Sequence, residues 1–179
     1  MRSILVDCLR LARILFVQQG AKVALIVNPY DPYTALAQLG LTLPVPPAPG
    51  GNYCSAKTSG SIVFLAGVVS QTAEGIITGS VGLNRTVEDG YAAARSCALL
   101  QLAVLEQHLG TLARVHGILS VNGYVNSVAG FADSPQVING ASDLLVAVFG
   151  EAGRHVRAAI GVNGLPRNAL VELQMTVEI

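Results

Sequence analysis

Apolar positions along this chain follow a helical spacing in some segments and a strand-like spacing in others. The clearest helix is predicted from Thr86, which forms an approximate capping box with Asp89 three residues later, to a stop at Gly110. Between them, apolar residues recur at intervals of three and four and define one buried stripe: Tyr91, Ala94, Ala98, Leu102, Leu105 and Leu109. We predict a core helix that lies on a sheet.

Two further helices have weaker signals. Ser134 and Pro135 are typical of an N-cap followed by proline at the first helical position, and this helix is predicted to stop near Gly150. Its apolar positions include Leu144, Leu145 and Val148. A short helix is predicted over Tyr33–Leu39, with Gly40 as its C-cap.

Strand signals flank the long helix. Asn52–Thr58 and Ser61–Val69, separated by Ser59-Gly60, predict a hairpin. The run IVFLAGVV in the second of these segments is apolar throughout, which predicts a strand covered on both faces. Val115–Val128 is rich in valine and predicts a strand with a bulge at Asn122-Gly123.

The last two strands are predicted over Val156–Val162 and Ala169–Ile179, with a tight turn between them. The resulting order predicts an α+β fold in which two helices cover one face of a mixed sheet. The uncovered face needs a partner, and we expect the oligomer interface there. The composition agrees with this expectation, because 51% of the residues are hydrophobic and only 12% are charged.

The proline-rich segment LTLPVPPAPGG, residues 41–51, suits neither a helix nor a central strand. We predict that one compact domain begins shortly before it and spans residues 33–179, after an N-terminal extension of residues 1–32. The extension carries basic residues in apolar sequence, loosely like an organellar presequence, whereas Asp7 and the scarcity of serine argue against one. An upstream extension or an inaccurate start site is the other interpretation.

No apolar run reaches the roughly 18 residues that span a bilayer, so we expect no membrane insertion. We expect a cytoplasmic protein, with a mitochondrial location as the alternative if residues 1 to about 30 are a presequence. Eleven basic and eleven acidic residues balance without a basic cluster, which argues against a nucleic-acid partner. Three widely spaced cysteines and three histidines match neither a disulfide framework nor a metal-binding motif.

The final 25 residues, HVRAAIGVNGLPRNALVELQMTVEI, resemble the C-terminal signature of the RidA family (YjgF/Rid, endoribonuclease L-PSP, chorismate mutase-like). The similarity continues upstream through APGGNYCSAKTSGSIVFLAG, VEDGYAAARSCALLQL and VNSVAGFADSPQVINGASDLLVAVFGEAGRHVR, and covers roughly Leu39–Ile179. The motifs INGASDLL and FGEAG resemble those of a bacterial-type subgroup of this family. The resemblance implies a chorismate-mutase-like subunit in a homotrimer with a central barrel and ligand sites between subunits.

The resemblance further implies hydrolytic deamination of small 2-imino or enamino acids, such as 2-iminopropanoate formed from 2-aminoacrylate, without metal or organic cofactor. Arg157 matches the substrate anchor, and a guanidinium grips a carboxylate through two parallel hydrogen bonds. Glu172 matches the water-orienting glutamate, and the backbone carbonyl of Ala159 matches an acceptor for the same water. The structural alternatives are a salt-bridged arginine at a subunit edge and a solvent-facing strand glutamate.

Three further positions match the family's pocket. Tyr53 matches a tyrosine near the entrance, Asn139 an asparagine on the second long helix, and Gly67 a glycine where a ligand approaches the backbone. The alternatives are that Tyr53 simply packs at a strand start and that Asn139 marks a helix irregularity.

The chain also departs from the family pattern. It reads Ala66-Gly67-Val68 where many active relatives read Ser-Gly-Gln, and Gln174 where a second glutamate is common. We expect the changes at Ala66 and Val68 to remove a hydroxyl and an amide near the pocket, and the departures together to alter the size and polarity of the substrate or the activity itself. The alternative functions are therefore a non-catalytic trimer that binds small carboxylates and, with less support because of the neutral charge, an endoribonuclease.

Overall fold

A six-stranded sheet with two long helices on one face forms the core of residues 31–179, the part of the chain that the computed structural model describes. The helices are α1 (Pro32–Gln38), α2 (Val87–Leu109) and α3 (Ser134–Phe149). The strands are β1 (Ala56–Ser59), β2 (Ile62–Leu65), β3 (Val68–Val69), β4 (Gln71–Thr72), β5 (Gly75–Ile76), β6 (Gly117–Asn126), β7 (Val156–Val162) and β8 (Val171–Glu178).

The main sheet has the strand order β1-β2-β8-β6-β7, and β3 pairs with β8 beyond the end of β2. The β6 and β7 strands are parallel, whereas the other pairs are antiparallel, so the sheet is mixed. The β4 and β5 strands form a separate hairpin. The predicted α+β fold, with helices covering one face of a mixed sheet, is confirmed.

The long helix α2 has the predicted ends. Thr86 is the N-cap and shares a capping box with Asp89, and Gly110 ends the helix with a φ of 75°. Its buried surface extends well beyond one stripe and includes Ala93, Cys97 and Gln101. The buried surface is wider than one stripe because α2 contacts both α3 and the sheet.

The helix α3 begins one residue earlier than its pattern indicates, because Asp133 and not Ser134 holds the N-cap position. The Ser134 hydroxyl is buried and has no hydrogen-bond partner within residues 31–179, so it does not act as the expected cap. Pro135 is the second residue of the helix and not the first as predicted, and Gly150 is the C-cap.

The predicted second strand is interrupted at Ala66-Gly67, where the sheet opens between β2 and β3. The buried Gln101 of α2 fills this gap, donating hydrogen bonds to the carbonyls of Ala66 (2.9 Å) and Leu173 (2.7 Å). The prediction that this strand is covered on both faces is wrong for the single chain, because Phe64 is 53% exposed. The first strand begins at Ala56, four residues later than predicted, and the loop before it carries Tyr53.

The bulge in β6 lies between Ile118 and Ser120 and not at the predicted Asn122-Gly123. Gly123 belongs to the regular ladder, where a side chain would collide with Ile138 of α3. Glycine at this position therefore allows the helix to pack closely on the sheet, and it does not mark a turn.

The predicted extension, residues 1–32, lies outside the described residues except for its last two positions. Within residues 31–179, no helix is long and apolar enough to cross a bilayer.

Candidate active site

Arg157 lies on the edge strand β7, and its guanidinium reaches across to α3. Nη1 donates hydrogen bonds to Asn139 Oδ1 (2.8 Å) and Ser142 Oγ (3.0 Å), and Nη2 donates to the carbonyl of Pro135 (3.3 Å). Arg157 lines a concavity of about 560 Å³ together with Ser142, Val146, Ala147 and His155, among other residues. Two of the predicted site residues, Arg157 and Asn139, are therefore in direct contact.

These hydrogen bonds leave one edge of the guanidinium available. An arginine has five N–H donors, and three of those of Arg157 are used by α3. The remaining two are on Nε and Nη2, which share one edge of the planar group. Two adjacent parallel donors match the two oxygens of a carboxylate. Within residues 31–179, no carboxylate forms an ion pair with Arg157.

Glu172 lies on β8 and faces the opposite side of the sheet. Burial raises the pKa of its carboxyl above the ordinary value. No donor from residues 31–179 hydrogen-bonds to this carboxylate. It lines a concavity of about 360 Å³ with Gly67, Tyr124, Leu165 and Gln174. A partly desolvated carboxylate without a partner is suited to accepting and returning a proton.

Gly67 provides the space for the Glu172 carboxylate. A β-carbon built on Gly67 would collide with Oε1 of Glu172 and lie 3.1 Å from its carboxyl carbon. Because Gly67 lies in the gap between β2 and β3, its backbone is also not part of the ladder. The structure therefore brings together the predicted residues Gly67 and Glu172.

Arg157 and Glu172 lie on opposite faces of one sheet. Arg157 is in register with Val121, and Val121 with Met175, and these partners are buried beneath the helices. Glu172 is in register with Tyr124, on the face without helices. Since register partners point to the same side of a sheet, one protomer cannot direct both groups at one small ligand.

The carbonyl of Ala159 lies at the free edge of the sheet. The Val162 carbonyl accepts a hydrogen bond from the Ser127 N–H (3.1 Å), so Val162 directs its backbone polar groups towards β6. Backbone groups alternate in direction along a strand, so Ala159, three residues earlier, directs its groups away from β6. Because β7 ends the strand order, this carbonyl is available to another molecule.

Comparison with known proteins agrees with this fold. The family described as "YjgF/chorismate mutase-like, putative endoribonuclease" matches residues 30–179. The chain belongs to this family.

This YjgF/chorismate mutase-like chain is similar to the following three proteins over most of its length. Protein TCP17 of Trypanosoma cruzi is 42% identical over 146 residues, which cover 80% of this chain and 91% of that protein. A crystal structure of a protein of unknown function from Agrobacterium tumefaciens is 39% identical, with a TM-score of 0.77, covering 83% of this chain and 92% of that one. A Shewanella oneidensis structure with the same endoribonuclease description is 34% identical, with a TM-score of 0.80 and coverages of 83% and 99%.

The remaining predicted site residue, Tyr53, lines neither concavity in the single chain. Its side chain is 52% exposed, and its hydroxyl accepts a hydrogen bond from the Gly50 N–H (3.0 Å). Tyr53 therefore fixes the loop before β1, and the structure does not bring it into contact with Arg157 or Glu172.

The three departures from the family pattern occupy different environments. Gln174 lines the same concavity as Glu172, so it is a polar group available to a ligand. Val68 is buried in register with Leu173 on the helix-covered side and lines neither concavity of the single chain. The Ala66 carbonyl is already bound by Gln101.

Two polar residues near Arg157 were not predicted from the sequence. Ser142 contacts the guanidinium, and His155 contacts Ser142 in turn, with Nε2 at 3.0 Å from the serine Oγ. A spacing signal exists for both residues. Ser142 lies three positions after Asn139 on a helix and therefore on the same side, and His155 lies two positions before Arg157. Within residues 31–179, no group of three or more His, Cys, Asp and Glu residues is arranged to hold a metal ion.

Proposed function

We propose that this protein hydrolyses small 2-imino acids to the 2-oxo acid and ammonia, at a site shared by two copies of the chain. Arg157 of one copy binds the substrate carboxylate, and Glu172 of the other orients the attacking water. The observation that carries the proposal is the pair of complementary half-sites, one with a free guanidinium edge and one with a desolvated, unpaired carboxylate.

Arg157 is suited to binding because α3 already holds it. Three hydrogen bonds fix the plane of the guanidinium, so little side-chain entropy is lost when a carboxylate binds at the free edge. A fixed carboxylate also fixes the adjacent C=N carbon, which the water must approach in a defined direction.

Glu172 is suited to moving the protons. Water adds to the imine carbon to give an aminoalcohol, and one proton passes from the water oxygen to the nitrogen. The second proton passes from the hydroxyl to the nitrogen as the C–N bond breaks, the carbonyl forms and ammonia leaves. A carboxylate whose pKa is raised by burial can accept each proton from the oxygen and deliver it to the nitrogen. The outward-facing carbonyl of Ala159 provides an acceptor that holds the same water.

A second copy is required to bring the two groups together, because they face opposite sides of one sheet. The uncovered face and the free edge strand carry exposed apolar side chains: Phe64 (53%), Val156 (72%) and Ile160 (50%). Packing this surface against other copies would bury it, and the family resemblance implies a homotrimer. We therefore assign the site to the clefts between subunits of a trimer.

The first experiment measures pyruvate release from enzymatically generated 2-aminoacrylate, with the assembly state determined by sizing and light scattering. The wild-type protein should form trimers and accelerate pyruvate release. The variants Arg157→Ala and Glu172→Gln should each be inactive. A monomeric protein with full activity would contradict the shared site.

Mixing the two inactive variants tests the shared site directly. If they are unfolded together and refolded as mixed trimers, about a quarter of the interfaces combine an intact Arg157 with an intact Glu172. Activity should return to roughly that fraction of the wild-type value. If the mixture stays inactive although mass spectrometry detects mixed trimers, the two residues act within one subunit or not at all.

A non-catalytic trimer that binds small carboxylates is the second candidate. The observation that favours it is Gln174, which stands in the Glu172 concavity where a second glutamate is common in the family. The two functions differ in their dependence on Glu172. For an enzyme, Glu172→Gln removes turnover and preserves carboxylate affinity, whereas a pure binder has no turnover to lose.

Endoribonuclease activity has less support. The family description and the Shewanella oneidensis structure carry this name, but eleven basic and eleven acidic residues balance in this chain. Phosphate-backbone binding requires a basic surface and depends strongly on salt. Salt-dependent RNA binding with cleavage in nuclease-free preparations would favour this function over the deaminase.

A further inference from the structure

A continuous series of hydrogen bonds links the turn that follows α3 to the guanidinium of Arg157. The carbonyl of Gly153 lies 2.7 Å from Nδ1 of His155, whose Nε2 lies 3.0 Å from Ser142 Oγ. The same Oγ accepts a hydrogen bond from Arg157 Nη1 (3.0 Å). His155 and Ser142 also line the concavity into which Arg157 points.

The chemistry of the groups fixes the direction of each hydrogen bond. A carbonyl oxygen only accepts, so Nδ1 of His155 carries the proton, and Nε2 of the neutral ring is an acceptor. The Ser142 hydroxyl therefore donates to Nε2, and its lone pairs face Arg157. His155 thus determines which way the serine oxygen presents its lone pairs.

The Gly153 carbonyl, at which this series of hydrogen bonds begins, is held rigidly. Gly153 packs so tightly on α3 that a β-carbon there would lie 2.7 Å from the carbonyl carbon of Leu145 and 2.8 Å from Cα of Val146. Its carbonyl is therefore held by backbone packing. Burial lowers the pKa of His155, and the nearby charge of Arg157 lowers it further, although the hydrogen bond to Gly153 opposes both effects. The neutral ring is favoured near neutral pH.

We infer that Ser142 and His155 are positioning residues that fix the plane of the Arg157 guanidinium, so that its Nε and Nη2 edge is directed at the substrate carboxylate. This inference rests on the proposed function and specifies how its anchor is oriented. Asn139 and the Pro135 carbonyl hold the same guanidinium from the start of α3, and Ser142 adds the third contact one turn later. Neither Ser142 nor His155 needs to touch the reacting atoms.

Variants of Ser142 test the role through substrate binding. Arg157 grips the carboxylate in both the ground state and the transition state, so loosening it should raise KM and leave kcat nearly unchanged. Ser142→Ala should raise KM, and the Kd for pyruvate, about tenfold, with kcat within about twofold of the wild-type value. Ser142→Thr keeps the hydroxyl and should restore most of the affinity.

Variants of His155 test whether it acts through Ser142. His155→Leu should raise KM by about fivefold, and His155→Gln should restore most of the affinity, because its amide oxygen can replace Nε2 as an acceptor. In a Ser142→Ala background, His155→Leu should have no further effect on KM. The serine hydroxyl through which His155 would act on the guanidinium is already absent from that background. Additive effects would overturn the proposed relay and indicate that His155 acts on the ligand directly.

The chain offers a matched control pair. His108 Nε2 lies 2.8 Å from the Thr58 hydroxyl, which forms a similar histidine–hydroxyl contact away from Arg157. Thr58→Ala and His108→Leu should leave KM and kcat unchanged. If Ser142→Ala leaves KM and Kd at the wild-type values while the protein stays folded, the inference is wrong. A change in melting temperature without a change in KM would likewise contradict positioning and indicate a structural role.

The same measurements separate this inference from the proposed function. If the wild-type protein binds pyruvate but does not hydrolyse 2-iminopropanoate, the deaminase proposal fails, and the Kd values alone decide the positioning role. If the wild-type protein binds no pyruvate by calorimetry, Arg157 is not a carboxylate anchor and both proposals fail.

Discussion

The two halves of the candidate site differ in how completely one chain builds them. On the helix-covered side, Arg157 is held by three hydrogen bonds from α3, which leave two of its five N–H donors unused. On the uncovered side, the Glu172 carboxylate has no hydrogen-bond donor within residues 31–179, and burial raises its pKa. The first half is complete in one chain, whereas the second lacks a partner.

This difference indicates where affinity and chemistry originate. A fixed cation with a free edge contributes binding, because its orientation is already established before the ligand arrives. A desolvated carboxylate contributes proton transfer, because its protonated and ionised forms are closer in free energy than in water. Perturbing each half should therefore change a different kinetic constant.

The largest effect is expected for the anchor. Arg157→Ala should lower kcat/KM about a thousandfold, which corresponds to about 4 kcal/mol for a charge-assisted bidentate contact. Arg114→Ala is the matched control, because Arg114 is an exposed arginine that also donates to a backbone carbonyl, that of Leu109. Steady-state kinetics with generated 2-aminoacrylate measure both variants, and equal losses would remove the distinction between the two arginines.

The next effect is expected for the proton-transfer group. Glu172→Gln should lower kcat about a hundredfold, as is typical for loss of a general base, and leave the Kd for pyruvate within about threefold. Calorimetry and kinetics on the same preparation measure the two values. A parallel loss of affinity would mean that Glu172 binds the ligand, and the two halves would no longer have separate roles.

A smaller effect is expected where the backbone makes room for Glu172. Gly67→Ala introduces a methyl group that collides with the carboxylate, and kcat/KM should fall about tenfold as Glu172 is displaced. Gly164→Ala is the control, because a β-carbon there has no heavy atom within 4 Å. Unchanged kinetics for Gly67→Ala would mean that the position of Glu172 is not critical.

The gap in the sheet should affect stability more than chemistry. Gln101→Leu leaves the buried carbonyls of Ala66 and Leu173 without a donor and should lower the free energy of unfolding by about 2 kcal/mol. Gln107→Leu, at an exposed position of the same helix, should have little effect. Chemical denaturation monitored by circular dichroism compares the two variants, and equal stabilities would contradict this role of Gln101.

The smallest effect concerns pH and stability. Because burial raises the folded-state pKa of Glu172, the stability linked to its protonated form is present below the unfolded-state pKa and is lost as pH rises through the folded-state pKa. A glutamine at this position does not ionise, so the variant does not lose stability in this way as pH rises. Glu172→Gln should therefore melt about 1–2 °C above the wild-type protein near pH 8 and equally near pH 4. Glu178→Gln, an exposed position on the same strand, controls for the loss of charge.

The regular elements were largely predictable from local patterns. The ends of α2 follow from Thr86, Asp89 and Gly110, and β7 was predicted at its observed bounds, because capping and strand periodicity are local properties. The gap at Ala66-Gly67 was not predictable, since it depends on Gln101, 35 positions along the chain from Ala66. The bulge in β6 was misplaced because Gly123 is required by Ile138 of α3 and not by a turn.

The candidate site was predictable only in part. Arg157, Asn139, Gly67 and Glu172 were named from the family resemblance, and the structure adds the contacts within each pair. Ser142 and His155 were missed, because their only signal is their spacing from Asn139 and Arg157, and that spacing is informative only once those two residues are known to be in contact. The alternation of β8 already places Glu172 opposite its buried apolar positions, whereas β7 has no clearly buried face, so the side on which Arg157 lies depends on how β7 pairs with β6.

The sequence by itself determined the α+β class, the order of the helices and strands, and membership of the YjgF/chorismate mutase-like family, because capping, hydrophobic periodicity and the C-terminal signature are encoded by nearby residues. Only the tertiary structure decided that Arg157 is held by α3 and that Glu172 faces the opposite side. Those facts depend on the register of β6 against β7 and β8, which is set by packing among residues far apart along the chain.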